Sequence, residues 1–254
     1  MNHPKVHEAM RRALAAALCC ACAGVASAAD NVRKQLLEHH GTRRAYYLSA
    51  PKDLAAGEKR PLVLAFHGSG GEGSKMVNNW AKLAQKERFF VAGLKSLNRW
   101  NWTIPADGPD LVHTLTETLL GKLPIDSSRI YLFGHSAGAV FALRLGLLES
   151  QYFAAVAVHA GSFRSSADFA TIRMARRKLP VLIISGHRDP IFTLASVKST
   201  VAAMQAAGIP AESFIVHADH RYYGLGDSVN VRAWEFLKKQ SLTGMPRYES
   251  YALP

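Results

Sequence analysis

The stretch "RIYLFGHSAGAVF", residues 129–141, decides how the chain is read. An apolar run of strand length ends at Gly134, His135 and Ser136 follow, and from Ala137 onward "AGAVFALRLGLLES" has a helical pattern. Ser136 is therefore expected on a sharp strand-to-helix turn. A serine hydroxyl is a poor nucleophile unless it is held beside a base and unless donors await the oxyanion its attack creates. Such a turn serves both needs. Glycines at 134 and 138 remove side chains that would clash, and the helix N-terminus aims amides at developing negative charge.

Outward from the serine, the remaining parts of this chemistry fall at strand ends. Upstream, "PLVLAF" closes on "HGSGG", residues 67–71. Flexible backbone there can turn a second amide toward a neighbouring strand's nucleophile, so Ser69, with Gly70 next, is expected to join Ala137 as an oxyanion donor. A phosphate loop is the competing reading of those glycines, but no Gly-Lys-Ser/Thr follows. Downstream, "VLIISGHRDPIF" puts Asp189 just past one apolar strand, and "SFIVHADHRYYG" puts His220 just past the next. The order Ser136, Asp189, His220 is the order in which the G-x-S-x-G architecture uses nucleophile, acid and base.

Other candidates have structural readings. Asp168 in "SSADFA" reads as a helix N-cap and Asp227 in "GLGDSVN" as a cap of the last helix. His217 lies among the apolar residues of "SFIVHA" and is expected to be held in or beside the sheet, with His220 free in the following loop. His135 inside the turn and His159 at the end of "AAVAVHAG" read as packed or hydrogen-bonded histidines, although His159 could also line a cleft.

Strand-like runs recur along the chain: "AYYLSA", "PLVLAFHG", "FFVAGL", "RIYLFGH", "AAVAVHAG", "PVLIISGH" and "SFIVHAD". They are nearly continuously apolar, which suits strands covered on both faces. Helical patterns alternate with them: residues 74–87, 110–123, 137–150, 193–208 and 230–240. The alternation predicts right-handed crossovers and an α/β domain, a doubly wound, mostly parallel sheet with helices on both faces. The irregular "KSLNRWNWTIPADGPD", residues 95–110, reads as a loop, and "RMARRK", residues 173–178, as a solvated helix face.

The start of the chain differs in kind. Residues 1–28 run from a polar, mildly cationic beginning through "ALAAALCCACAGV" to "ASA", the layout of a signal peptide cleaved near Ala28. The apolar run falls short of the roughly 20 residues of a spanning helix. A soluble exported protein, secreted or periplasmic, is expected, with one domain over residues 29–254 and no membrane insertion after cleavage. Cys19, Cys20 and Cys22 all lie in the removed segment, so no disulfide is expected. The formal charge of +12 falls to about +10 on cleavage. That surface favours anions, but no finger, helix-turn-helix or aromatic RNA motif accompanies it, and no nucleic-acid partner is expected.

Taken together, "HGSGG", "WNW", "DSSRIYLFGHSAG", "GHRDP" and "DHRYYG" resemble, in order, the motifs of the α/β-hydrolase family, and within it the secreted polyhydroxybutyrate-depolymerase-like and feruloyl-esterase-like esterases. The resemblance spans most of residues 60–240. It implies a serine esterase with Ser136 as nucleophile, His220 as general base, Asp189 as its orienting acid and Ser69 and Ala137 at the oxyanion hole. It implies no cofactor or metal, and a small-molecule or oligomeric ester as substrate: short-chain, aromatic or hydroxyalkanoate. "WNW" matches a segment that borders the family's active site, so Trp100 and Trp102 are implied as an aromatic platform, with plain packing the alternative. Many relatives carry cysteines near these motifs, and no polymer-binding domain follows here, so action on crystalline polymer is not expected. A prolyl-oligopeptidase-type peptidase and a catalytically silent binding protein on the same fold are the competing functions.

Overall fold

The computed structural model describes residues 32–225 and 227–249, so the expected signal segment lies outside the described residues. The chain runs β1 (Val32–His39), β2 (Thr42–Ser49), β3 (Arg60–Phe66), α1 (Gly73–Glu87), β4 (Phe90–Leu94), α2 (Pro109–Lys122), β5 (Ile125–His135), α3 (Ala137–Leu148) and β6 (Ala155–His159). It continues through a one-turn helix α4 (Ser166–Ala170), a 3-10 turn (Thr171–Met174), β7 (Val181–Gly186), α5 (Leu194–Ala206), β8 (Ala211–Val216), a 3-10 turn (Tyr223–Leu225) and α6 (Asp227–Leu237).

The eight strands form one sheet in the order β1-β2-β4-β3-β5-β6-β7-β8. From β4 to β8 every neighbouring pair is parallel, and β2 runs against both of its neighbours. Alternation along the strands sorts the core into two layers. Leu62, Leu64 and Phe66 of β3, Ile130 and Leu132 of β5, and Val181 and Ile183 of β7 pack with α2, α3 and α5. Val63, Ala65, Tyr131, Phe133, Leu182 and Ile184 point the other way, against α1 and α6. Strands buried on both faces need apolar side chains at every position, which is why they read as continuous runs. Helix α3 is also apolar nearly all round and is buried almost throughout.

At the margins the structure adds one strand and corrects two expectations. The first strand, "VRKQLLEH", escapes a periodicity reading because only Leu37 of its residues is buried. It is held as an edge by a two-residue turn in which His40 (φ 47°) and Gly41 (φ 70°) both adopt the positive φ of a tight hairpin. The other edge, β8, is not covered on both faces: Phe214 and Ile215 are exposed. Finally, "RMARRK" is not a helix face beyond its 3-10 turn. Arg177 donates to the carbonyls of Ser150, Phe153 and Ala154, tying this segment to the end of α3 and the start of β6. No helix among the described residues is long and apolar enough to cross a membrane.

The strand order reverses at β3: the chain passes from β3 to β4 on one side and returns to β5 on the other. In open α/β sheets such a reversal leaves a crevice beyond the carboxyl ends of the strands. The loop after β3 and the turn after β5 face each other across it.

Candidate active site

Ser136 occupies φ 55°, ψ −118°, between the last residue of β5 and the first of α3. A non-glycine residue held at positive φ costs on the order of 1–3 kcal/mol, so the surroundings must hold it. They do so by backbone proximity. A Cβ on Gly134 would sit 2.1 Å from the Gly138 carbonyl oxygen, and one on Gly138 would sit 2.3 Å from that of Phe66. The Ser136 amide donates to the His159 carbonyl at 3.1 Å, fastening the turn to β6.

The Ser136 hydroxyl lies 2.9 Å from His220 Nε2, and His220 Nδ1 lies 2.9 Å from Asp189 Oδ2. An ionised carboxylate only accepts, so Nδ1 carries the proton and the Nε2 lone pair faces the serine hydroxyl. Asp189 follows β7 with its carboxylate fully buried. Its Oδ1 accepts from the amides of Ile191 (2.8 Å) and Phe192 (2.9 Å), leaving Oδ2 aimed at the imidazole. His220 comes four residues after β8 ends.

His217 also lies beyond β8, and its position corrects the expectation that the sheet holds it. It is exposed, and its ring meets that of His187 with 4.6 Å between centroids. β8 is an edge strand that ends at Val216, so the side chain lies beyond the sheet, with the His187 ring as its aromatic neighbour. Asp168 is not the N-cap itself. Ser165 is, and Asp168 is the N3 partner of a capping box, accepting from the Ser165 amide while its own amide donates to the Ser165 hydroxyl. Asp227 begins α6.

Beneath the elbow, His135 Nδ1 is 3.1 Å from His159 Nδ1, so one ring donates and the other accepts. Burial pushes the two side chains down from 6.5 to about 3 and about 4, respectively, and their neighbouring imidazoles add to the effect. Both rings rest on buried Tyr222, whose hydroxyl donates to Asn230. His159 is fully buried and does not line the cavity above.

Ala137 opens α3, so its amide is among the first four that a helix leaves without an internal acceptor. In the "HGSGG" loop the Gly70 amide donates to Arg99 O at 2.8 Å and that of Gly71 to Gly68 O at 2.9 Å. The Ser69 amide has no backbone acceptor among the described residues, and Ser69 lines the cavity with Gly68, Gly71 and Ala137, whereas Gly70 does not. His67 anchors the loop from below. Its Nδ1 donates to Gly68 O at 2.8 Å, its Nε2 accepts from the Ser96 amide at 3.3 Å, and its carbonyl accepts from Trp102 Nε1 at 2.8 Å.

The two tryptophans of "WNW" part company. Trp102 is buried, lies face to face with Phe141 at 5.0 Å and lines the cavity. Trp100 is 63% exposed and does not line it. Its ring covers Gly70, where a Cβ would approach it to 2.8 Å, with the Arg99 guanidinium 5.1 Å from the ring centre. The segment from Lys95 to Gly108 is irregular, as expected, but is organised by buried Asp107, which accepts from the Leu97 and Thr103 amides and from the Arg44 guanidinium.

Ser136 and His220 open onto a cavity of about 620 Å³. Sequence reasoning missed much of its wall: Arg144, Arg164, Ile191, Phe192 and Tyr223. Arg144 was within reach, since Ser136, Val140 and Arg144 follow a four-residue spacing that keeps them on one helical face. Ile191, Phe192 and Tyr223 sit two or three residues from the predicted acid and base. Arg164, in the connection after β6, carries no such signal. Ser69, Ala137, Trp102, Ser136 and His220 all border this space, with Asp189 buried behind His220.

Comparisons with known proteins agree with this architecture. The phospholipase/carboxylesterase family model matches residues 108–240. "Putative esterase NocK" of Nocardia uniformis subsp. tsuyamanensis is 30% identical over 200 residues, 72% of this chain and 56% of that protein, so the chain spans about half of that relative's length. Among solved structures, a thermostable esterase superposes with TM-score 0.66 at 21% identity, over 84% of this chain and 64% of that one. A ferulic acid esterase does so with TM-score 0.63 at 14% identity, over 82% and 97%.

Proposed function

As the chain belongs to the phospholipase/carboxylesterase family, we propose that it is a serine esterase that hydrolyses carboxylic esters through an acyl-enzyme on Ser136. The observation that carries this reading is the continuous line from Ser136 Oγ through His220 to the buried Asp189 carboxylate, opening on the cavity.

In the first half-reaction Ser136 Oγ attacks the ester carbonyl carbon and its proton passes to His220 Nε2. Negative charge on the former carbonyl oxygen is met by the amides of Ser69 and Ala137, a role supported by their shared place at the cavity. Collapse of this intermediate breaks the bond to the alcohol, which leaves with the proton from His220. Water then attacks the acyl carbon, giving its proton to His220, and Ser136 departs with that proton as the acid is released. Asp189 keeps Nδ1 protonated throughout and stabilises the transient imidazolium.

The reading extends to short-chain, aromatic or hydroxyalkanoate esters. Trp102, Phe141 and Phe192 give the cavity aromatic walls, and the connection between β6 and β7, residues 160–180, holds only α4 and one 3-10 turn, with no lid domain inserted. Rates on p-nitrophenyl acetate, butyrate and palmitate and on methyl ferulate test it, together with fluorophosphonate labelling of Ser136. Turnover of the short and aromatic esters with labelling is expected. No turnover and no adduct would favour a silent binding protein, and preference for palmitate would overturn the substrate range. Export belongs to the same proposal, supported by the sequence of residues 1–28: the recovered protein should begin at Ala29 or Asp30, and an intact Met1 in a membrane fraction would refute it.

A further inference from the structure

Two cations stand in the cavity wall, and no carboxylate lines it. Arg144 lies two four-residue steps after Ser136 on the same face of α3, about 12 Å along the helix axis, and a helical side chain leans toward the N-terminus, here toward the nucleophile. Its guanidinium forms no hydrogen bond among the described residues. The nearest carboxylate oxygen, Asp168 Oδ1, is 4.0 Å from Nε, beyond hydrogen-bond distance, and the other oxygen, Oδ2, serves the capping box of α4.

Arg164 reaches the same cavity from the connection after β6. Its Nη1 donates to Ile191 O at 3.2 Å, and its guanidinium carbon lies 4.7 Å from the centre of the Phe192 ring, which in turn stacks on His220 at 5.9 Å. The Ile191 carbonyl and the Phe192 face orient this cation without neutralising it. Arg164 is thus positioned by a backbone and an aromatic contact and Arg144 has only a carboxylate at 4.0 Å, so both retain donors for a further partner.

We propose that Arg144 and Arg164 form an anion subsite, which selects esters bearing a free carboxylate roughly two helical turns from the scissile carbonyl. This deepens the esterase reading and rests on it. A planar guanidinium with unused donors matches a carboxylate in two parallel hydrogen bonds. An uncharged substrate would leave Arg144 with no hydrogen-bonding partner in the cavity, whereas a monoester of a dicarboxylic acid, or an ester of a long hydroxyacid, supplies one.

The test pairs each charged ester with a neutral one of equal length. The p-nitrophenyl monoester of suberic acid is compared with p-nitrophenyl octanoate, placing the carboxylate on the acyl side. The acetate ester of 8-hydroxyoctanoic acid is compared with octyl acetate, placing it on the alcohol side. In one of the two pairs the anionic ester should have the higher kcat/KM by about tenfold, chiefly through KM. Raising salt from 0.05 to 0.5 M should shrink that advantage in the unmodified protein. Arg144→Met and Arg164→Gln should each collapse the charged-to-neutral ratio, and Arg164→Lys should restore part of it. Equal or lower rates for the anionic ester in both pairs would overturn the subsite while leaving the esterase intact. No turnover of any ester and no fluorophosphonate adduct would remove both.

Discussion

The elbow around Ser136 and the far wall of the cavity share one space but are built in opposite ways. At the elbow, backbone presses on backbone: a Cβ at Gly134 or Gly138 would lie within 2.1–2.3 Å of a carbonyl oxygen, and the serine is held at φ 55° by its neighbours. In the wall, Arg144, Arg164 and Phe192 arrive as side chains from three separate segments, and Arg164 is exposed. The elbow has almost no room for added atoms, whereas the wall's exposed Arg164 meets no such backbone constraint. The proposed function places chemistry in the rigid region and the proposed anion subsite places selectivity in the other.

The largest expected effect is chemical. Ser136→Ala and His220→Ala should each lose at least about a thousandfold in turnover of p-nitrophenyl butyrate while circular dichroism stays unchanged. A folded His220 variant with near-normal turnover would break the assignment of the base. The next effect is structural and separates the two regions directly. Gly138→Ala should destabilise by about 3 kcal/mol or more, read from urea midpoints, because Phe66 O and His67 O lie within 2.6 Å of the added carbon and both belong to backbone. A loss below about 1 kcal/mol would show that the elbow gives way and is not the rigid partner in the comparison.

A pH series probes the layer beneath the elbow. Burial holds His135 and His159 at about 3 and 4, against 6.5 in the unfolded chain. Between those values the unfolded chain binds protons that the folded one refuses, so stability increases with pH across the window and levels off above about 6.5. Burial also lowers His67, which acts in the same direction. The melting temperature should fall steadily as pH drops from 6.5 toward 4, and a flat profile over that range would contradict neutral, buried rings.

The smallest effect concerns the two histidines after β8. His217→Ala should change stability by no more than about 0.5 kcal/mol and leave turnover near its original value, since the side chain is exposed and its ring contact is to His187. A marked loss of turnover in that variant would shift attention from His220 to its neighbour three residues earlier.

Much of the site was legible because its constraints are local. Gly134 and Gly138 flank Ser136, the apolar run before it and the helical pattern after it are contiguous, and Asp189 and His220 each follow an apolar strand in the order the architecture requires. The errors fall where a neighbour distant in sequence decides. The first strand exists because β2 pairs with it, although its own residues are mostly exposed. His217 is exposed because β8 lies at the sheet's edge, which no reading of "SFIVHA" reveals. Trp100 and Trp102 are two residues apart in one motif, yet one covers Gly70 and the other is buried against Phe141.

By itself, the sequence determined the α/β class, the strand-to-helix turn and the identity of the polar residues brought together at Ser136. Those features depend on side-chain period, glycine at positions of close approach, and chain order, all of which are written in short stretches. The tertiary structure decided the sheet order that sets β3 beside β5, the hydrogen bonds that occupy the amides of Gly70 and Gly71, and the placing of Arg144 and Arg164 in the wall of one cavity. These depend on contacts between residues far apart along the chain, and a guanidinium's partner, or its want of one, is settled only when the packed sheet brings those segments together.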